Sequence, residues 1–130
     1  MASATAPSAA RRVFIITGSN TGVGFQTARQ LALGADKAKE PRLIIMACRT
    51  AYKAGSAVKR IQQELGPQSL AQVEYQLLDL LDYKSITRFV AEFKQRNLPL
   101  HALVNNAGVN LAPPSLPQPL KVSTLSLIHI

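Results

Sequence analysis

Acidic side chains are scarce in this sequence: seven Asp and Glu stand against fifteen Lys and Arg, a formal charge of +8 over 130 residues. An excess of that size favours anionic partners such as phosphates, nucleic acid or acidic membranes. Tryptophan is absent and aromatic residues make up only 5%. The cations are spread along the chain with no basic–aromatic stripe, so nucleic acid is set aside as a partner. The single Cys48 excludes an internal disulfide, and no Cys/His cluster has metal-ligand spacing. No apolar run approaches the roughly 18 residues of a transmembrane helix. What remains is an ordinary globular composition, 47% hydrophobic and 17% charged, with room for one small α/β domain and not two.

Residues 1–10, MASATAPSAA, have no periodic apolar pattern and read as a disordered leader. Arg11 and Arg12 follow with no apolar core of signal-peptide length. The acid-free, Ala/Ser-rich start faintly resembles a short transit peptide, so the compartment reads as cytoplasmic with a plastid as the alternative. From there two kinds of segment alternate. Val13–Thr17, Leu43–Ala47, Val73–Leu78 and Ala102–Val104 are short apolar runs of the kind that form buried parallel strands. Between them Gly22–Leu33, Lys53–Leu65 and Tyr83–Arg96 carry apolar residues at helical spacing, with Asp82 as an N-cap and Gly66-Pro67 as a stop. The order β-α-β-α-β-α-β implies a Rossmann-type, doubly wound parallel sheet with right-handed crossovers, an N-terminal half of about four strands over residues 11–110. Residues 111–130 break the pattern with four prolines and an apolar ending, and read as an atypical tail outside the fold.

The most informative stretch is Thr17-Gly18-Ser19-Asn20-Thr21-Gly22-Val23-Gly24, between the first strand and the first helix. Glycines allow a tight turn and close approach of backbone to a pyrophosphate, and the helix N-terminus offers free N–H groups and a positive dipole. The spacing is G-x-x-x-G-x-G, not the commoner G-x-G-x-x-G. Packing alone is the alternative explanation of these glycines. The second motif, Asn105-Asn106-Ala107-Gly108, follows the fourth strand on the edge where open α/β sheets bind ligands; an ordinary turn is its alternative.

Together, TGxxxGxG and NNAG closely resemble the short-chain dehydrogenase/reductase family over about residues 11–110. The words ITGSNTGVG, ACRT, LDL and LVNNAG look like its retinol-dehydrogenase and protochlorophyllide-reductase-like branch. The segment Gly34–Pro41 is longer than many members carry before the second strand, which keeps a steroid-reductase-like branch open. The resemblance implies a dinucleotide held by Gly18, Ser19, Asn20, Gly22, Val23 and Gly24 around the pyrophosphate. It places Asn105, Ala107 and Gly108 at the ribose nearer the nicotinamide, and Asp79 at the adenine amino group. Arg49 stands where NAD-preferring members carry an acid. No Asp or Glu occurs between Glu40 and Glu64, so a guanidinium would meet the ribose 2′ position, favouring NADP over NAD. A solvated arginine, a loop acid and an inert packing cysteine are the plainer readings of Arg49, Asp79 and Cys48.

The departure from the family is equally informative. Its Tyr-x-x-x-Lys pair transfers the proton and holds the nicotinamide ribose. Tyr52, Tyr75 and Tyr83 are followed four residues on by Ser56, Asp79 and Thr87, so none qualifies. His101 has no nucleophile or acid at interpretable spacing and reads as a packing residue at a strand start. The expectation is therefore the cofactor half of an NADP-dependent short-chain oxidoreductase, acting on a small-molecule alcohol, carbonyl or C=C substrate and truncated before its catalytic residues. The complete relative is expected to be a homo-oligomer. A non-catalytic nucleotide-binding module and a non-functional truncated gene product are the alternatives.

Overall fold

The computed structural model describes residues 11–107, so the leader, Gly108 and the tail lie outside the described residues. Four strands and three helices alternate: β1 (Arg12–Thr17), α1 (Gly22–Ala38), β2 (Arg42–Cys48), α2 (Ala51–Glu64), β3 (Ala71–Leu77), α3 (Tyr83–Gln95) and β4 (Ala102–Val104). The strands form one parallel sheet in the order β3-β2-β1-β4. The Rossmann-type arrangement expected from the apolar runs is the one observed. The chain reverses direction across the sheet between β1 and β4, which leaves a crevice beyond their carboxyl ends.

Both faces of the sheet are covered, which is why the inner strands read as continuous apolar runs. Ile16, Ile44 and Met46 point to the layer formed by α1 and α2, where Phe25, Ala28, Ala57 and Ile61 meet them. Val13, Ile15, Leu43 and Ile45 point the other way, onto Ile86, Phe89 and Phe93 of α3. β3 lies at an edge of the described sheet and its inner face is covered only in part: Val73 is buried, while Tyr75 and Leu77 on the same face are exposed.

Two details depart from the sequence reading. The helical pattern stops at Leu33, yet α1 continues to Ala38, so most of Gly34–Pro41 is helix and not loop. A side chain at Gly34 would come within 3.0 Å of the Arg42 guanidinium, which donates to the Leu31 carbonyl at 2.8 Å. The Asp36 carboxylate accepts from the Leu70 N–H at 2.7 Å and the Ser69 hydroxyl at 3.0 Å, tying the added turn to the loop before β3. Lys39 then ends the helix in the left-handed region, φ 53°. His101, expected as packing, is exposed and extends the ladder instead. Its N–H donates to the Val13 carbonyl at 2.9 Å, and its Nδ1 accepts the Val13 N–H at 3.0 Å. An accepting Nδ1 leaves the ring proton of the neutral imidazole on Nε2.

Candidate dinucleotide site

Every sequence-selected position among the described residues falls at the carboxyl edge of the sheet. In strand order these are Asp79 after β3, Arg49 after β2, the Gly18–Gly24 loop after β1, and Asn105 with Ala107 after β4. The strand ends are stitched together by backbone bonds. The Leu78 N–H donates to the Cys48 carbonyl at 2.8 Å, and the Gly18 N–H to the Ala47 carbonyl at 2.9 Å. With strands about 4.8 Å apart, the four positions span roughly 14 Å.

The three loop glycines answer to two requirements, close packing and a positive backbone angle. Gly18 has φ +60°, and a Cβ there would lie 2.8 Å from Ala107 Cα. A Cβ at Gly24, which is buried, would lie 2.4 Å from Asn106 Nδ2 and 2.6 Å from the Gly18 carbonyl oxygen. Packing thus explains both. Gly22 also has φ +60°, but nothing lies within 4 Å of a Cβ built on it. Its backbone angle needs glycine, and the space in front of it, at the first turn of α1, is open. Ser19 turns inward: its side chain is fully buried, and its hydroxyl donates to the Ile16 carbonyl at 2.9 Å. The whole residue is buried, backbone included, so Ser19 offers no exposed atom to a ligand. Asn20 is half-buried, and Val23 is exposed at 76%.

Two residues absent from the sequence selection, Thr17 and Asn106, join the glycine loop to β4. The buried Thr17 hydroxyl accepts from the Asn106 N–H at 3.0 Å and the Ala107 N–H at 2.9 Å. The Asn106 side-chain amide donates to the carbonyls of Thr17 at 3.2 Å and Gly18 at 3.1 Å. The second asparagine therefore holds the loop, and the exposed Asn105 is left facing outward. A hydroxyl ending an apolar strand was the available sequence signal for Thr17, because a buried polar group must find a partner.

The helix N-termini differ in a way that matters for anions. α3 is closed by its own residue, Asp82, whose carboxylate accepts the Lys84 N–H at 3.0 Å. Thr21 and Thr50 occupy the N-cap positions of α1 and α2; neither side chain makes a capping hydrogen bond, and neither helix has an acid in its first turn. Their first N–H groups and dipole ends are left for another acceptor. Arg49 lies exposed immediately before the second of them. Asp79 is half-buried in a turn, its Oδ1 accepting the Leu81 N–H at 3.0 Å while its own N–H donates to the Ser85 hydroxyl at 2.8 Å. Cys48 is buried 3.7 Å from the Ser19 hydroxyl, and burial pushes its thiol up, opposed in part by hydrogen bonding to Ser19. Among the described residues no group of His, Cys, Asp and Glu could hold a metal, and no helix is long and apolar enough to cross a membrane.

Known proteins share this fold. The short chain dehydrogenase family model matches residues 12–127. The human WW domain-containing oxidoreductase is 38% identical over 120 residues, covering 92% of this chain and 27% of that protein. Bovine (Bos taurus) retinol dehydrogenase 12 is 41% identical over 102 residues, covering 78% and 29% respectively. Menthone neomenthol reductase from Mentha piperita superimposes with a TM-score of 0.66 at 35% identity, over 77% of this chain and 32% of that one. The chain thus spans about a quarter to a third of the length of these relatives. It belongs to the short-chain dehydrogenase family.

Proposed function

We propose that this chain binds NADP along the carboxyl edge of its sheet and forms the cofactor-binding part of a short-chain oxidoreductase. The observation that carries the reading is the pair of uncapped, acid-free helix N-termini at that edge, with Arg49 beside one of them. The first turn of α1 would receive the pyrophosphate through backbone N–H groups, in the open space before Gly22. The guanidinium of Arg49 and the first turn of α2 would receive the 2′-phosphate, a group that a carboxylate at the same place would repel. Asp79 would accept from the adenine amino group, and Asn105 would bond the ribose on the nicotinamide side. The bound cofactor supplies hydride transfer at nicotinamide C4, to or from an alcohol, carbonyl or C=C substrate. This chain's share is to bind and orient it, because no tyrosine here has a lysine four residues on.

Fluorescence titration with NADPH, on the wild type and on Gly22→Val, tests the reading. Saturable binding by the wild type is expected, and its loss in the variant with an unchanged far-UV circular dichroism spectrum. Equal affinity in the two proteins would reduce the loop to a packing device. A non-catalytic nucleotide-binding module would give the same titration and no turnover in the full-length protein.

A further inference from the structure

The outer face of α2 gathers exposed cations without a free acid. Its solvent positions include Tyr52, Lys53, Ser56, Lys59, Arg60 and Gln63, all exposed. Three are cations and none is acidic. The only acid in the helix, Glu64, sits in its last turn and is held by both nitrogens of the Arg29 fork at 2.7 Å. The remaining ion pairs among the described residues, Arg12–Glu40, Arg42–Glu40 and Arg96–Glu74, engage other elements. Arg60 is also held in place, its guanidinium 4.4 Å from the centre of the Phe25 ring, and beside it α1 turns the uncharged Gln26 and Gln30 outward. Tyr52, 84% exposed, is the most exposed large apolar side chain of the described residues.

We propose that this face, with Lys53, Lys59 and Arg60 around Tyr52, docks the protein peripherally on an anionic lipid bilayer. The apolar side of α2, made by Ala54, Ala57, Val58 and Ile61, is buried against the sheet. The helix therefore cannot roll into the acyl region or be gripped in a partner's apolar groove, as a free basic amphipathic helix can. Only its polar face is available. That face lies in a layer beside α1 and does not project as a separate rod of the kind that enters a DNA groove. An extended sheet of negative headgroups fits such a surface, with the cations over the phosphates and the tyrosine ring at headgroup depth. Attachment by so few charges is reversible and salt-sensitive. The proposal does not depend on the cofactor reading, since neither Arg49 nor the glycine loop takes part.

The test is cosedimentation of the full chain with phosphatidylcholine vesicles, with and without phosphatidylserine, at about 0.05 M and about 0.5 M salt. Binding is expected only to the serine-containing vesicles and only at low salt. Lys59→Glu should weaken it on the order of tenfold, and Lys59→Gln should weaken it less. Arg88→Glu, the same change of net charge on exposed α3 across the sheet, should leave it within about twofold. Thermal unfolding of each variant checks that the fold is kept. No binding by the wild type overturns the proposal. So does an equal loss in the Lys59 and Arg88 reversals, which would make net charge the cause. Duplex DNA bound more tightly than vesicles at the same salt would assign the face to nucleic acid and overturn it as well.

Discussion

Thr17→Val keeps the shape of a buried side chain and removes one hydroxyl. In the wild type that oxygen accepts the N–H groups of Asn106 and Ala107 at 3.0 and 2.9 Å. Deleting it leaves the Ala107 N–H without a partner, at about 1–3 kcal/mol when fully buried, while the Asn106 N–H keeps the Val104 carbonyl at 3.0 Å. Ala107 is only half-buried, so water replaces part of the loss and the total should be about 1–2 kcal/mol. Against a typical domain stability of about 5–15 kcal/mol this is readily measured. Thr17→Ser is the control, because it keeps the acceptor and loses a methyl group, for about 1 kcal/mol. Urea unfolding of the three proteins gives the difference in midpoint. Amide exchange should quicken at Ala107 in the valine variant alone. A valine variant as stable as the serine variant, with the Ala107 amide still protected, would refute the assignment of Thr17 as the pin between β1 and β4.

Other perturbations follow from the same geometry. Gly55→Ala should stabilise the protein by about 1 kcal/mol in thermal or urea unfolding, because the added Cβ meets only Tyr75 Cε2, at 3.8 Å. Gly24→Ala should lower stability by about 1–3 kcal/mol in the same assay, since its Cβ would fall on Asn106 Nδ2 and the Gly18 carbonyl. The Arg29 hydrogen bonds hold the Glu64 carboxyl below the usual carboxylate range. The pair's stabilisation is then present above the ordinary carboxylate pKa and is lost as pH falls through the depressed folded value. Urea midpoints followed into acid should show Glu64→Gln lacking that component of the decline.

The element order was legible because apolar runs, helical spacing and turn residues are local signals, and all three agree here. The carboxyl-edge placement of both motifs was legible for the same reason: each directly follows an apolar run. What stayed hidden depends on partners far apart in the chain. Nothing near Leu33 shows that Arg42 fills the space beside Gly34, or that Asp36 is held by the loop before β3. His101 looks like any strand-start residue until Val13 is laid beside it. The glycine loop was recognised as a unit, but its spacing could not divide the roles. Gly18 and Gly24 make room for Ala107 and Asn106, residues more than eighty positions later, while Gly22 answers to its backbone angle. Likewise NNAG does not say which asparagine is structural; the bonds of Asn106 to Thr17 and Gly18 decide it.

Calorimetric titration of NADPH and NADH, on the wild type and on Arg49→Ala, tests the central claim most directly. If the sheet edge holds an NADP-type cofactor with Arg49 at its 2′-phosphate, the wild type prefers NADPH. The substitution should then weaken NADPH selectively, by about 1.5–3 kcal/mol for charge-assisted hydrogen bonds, and leave NADH unchanged. An equal loss for both cofactors, or no preference in the wild type, would contradict the account and return Arg49 to the solvated surface.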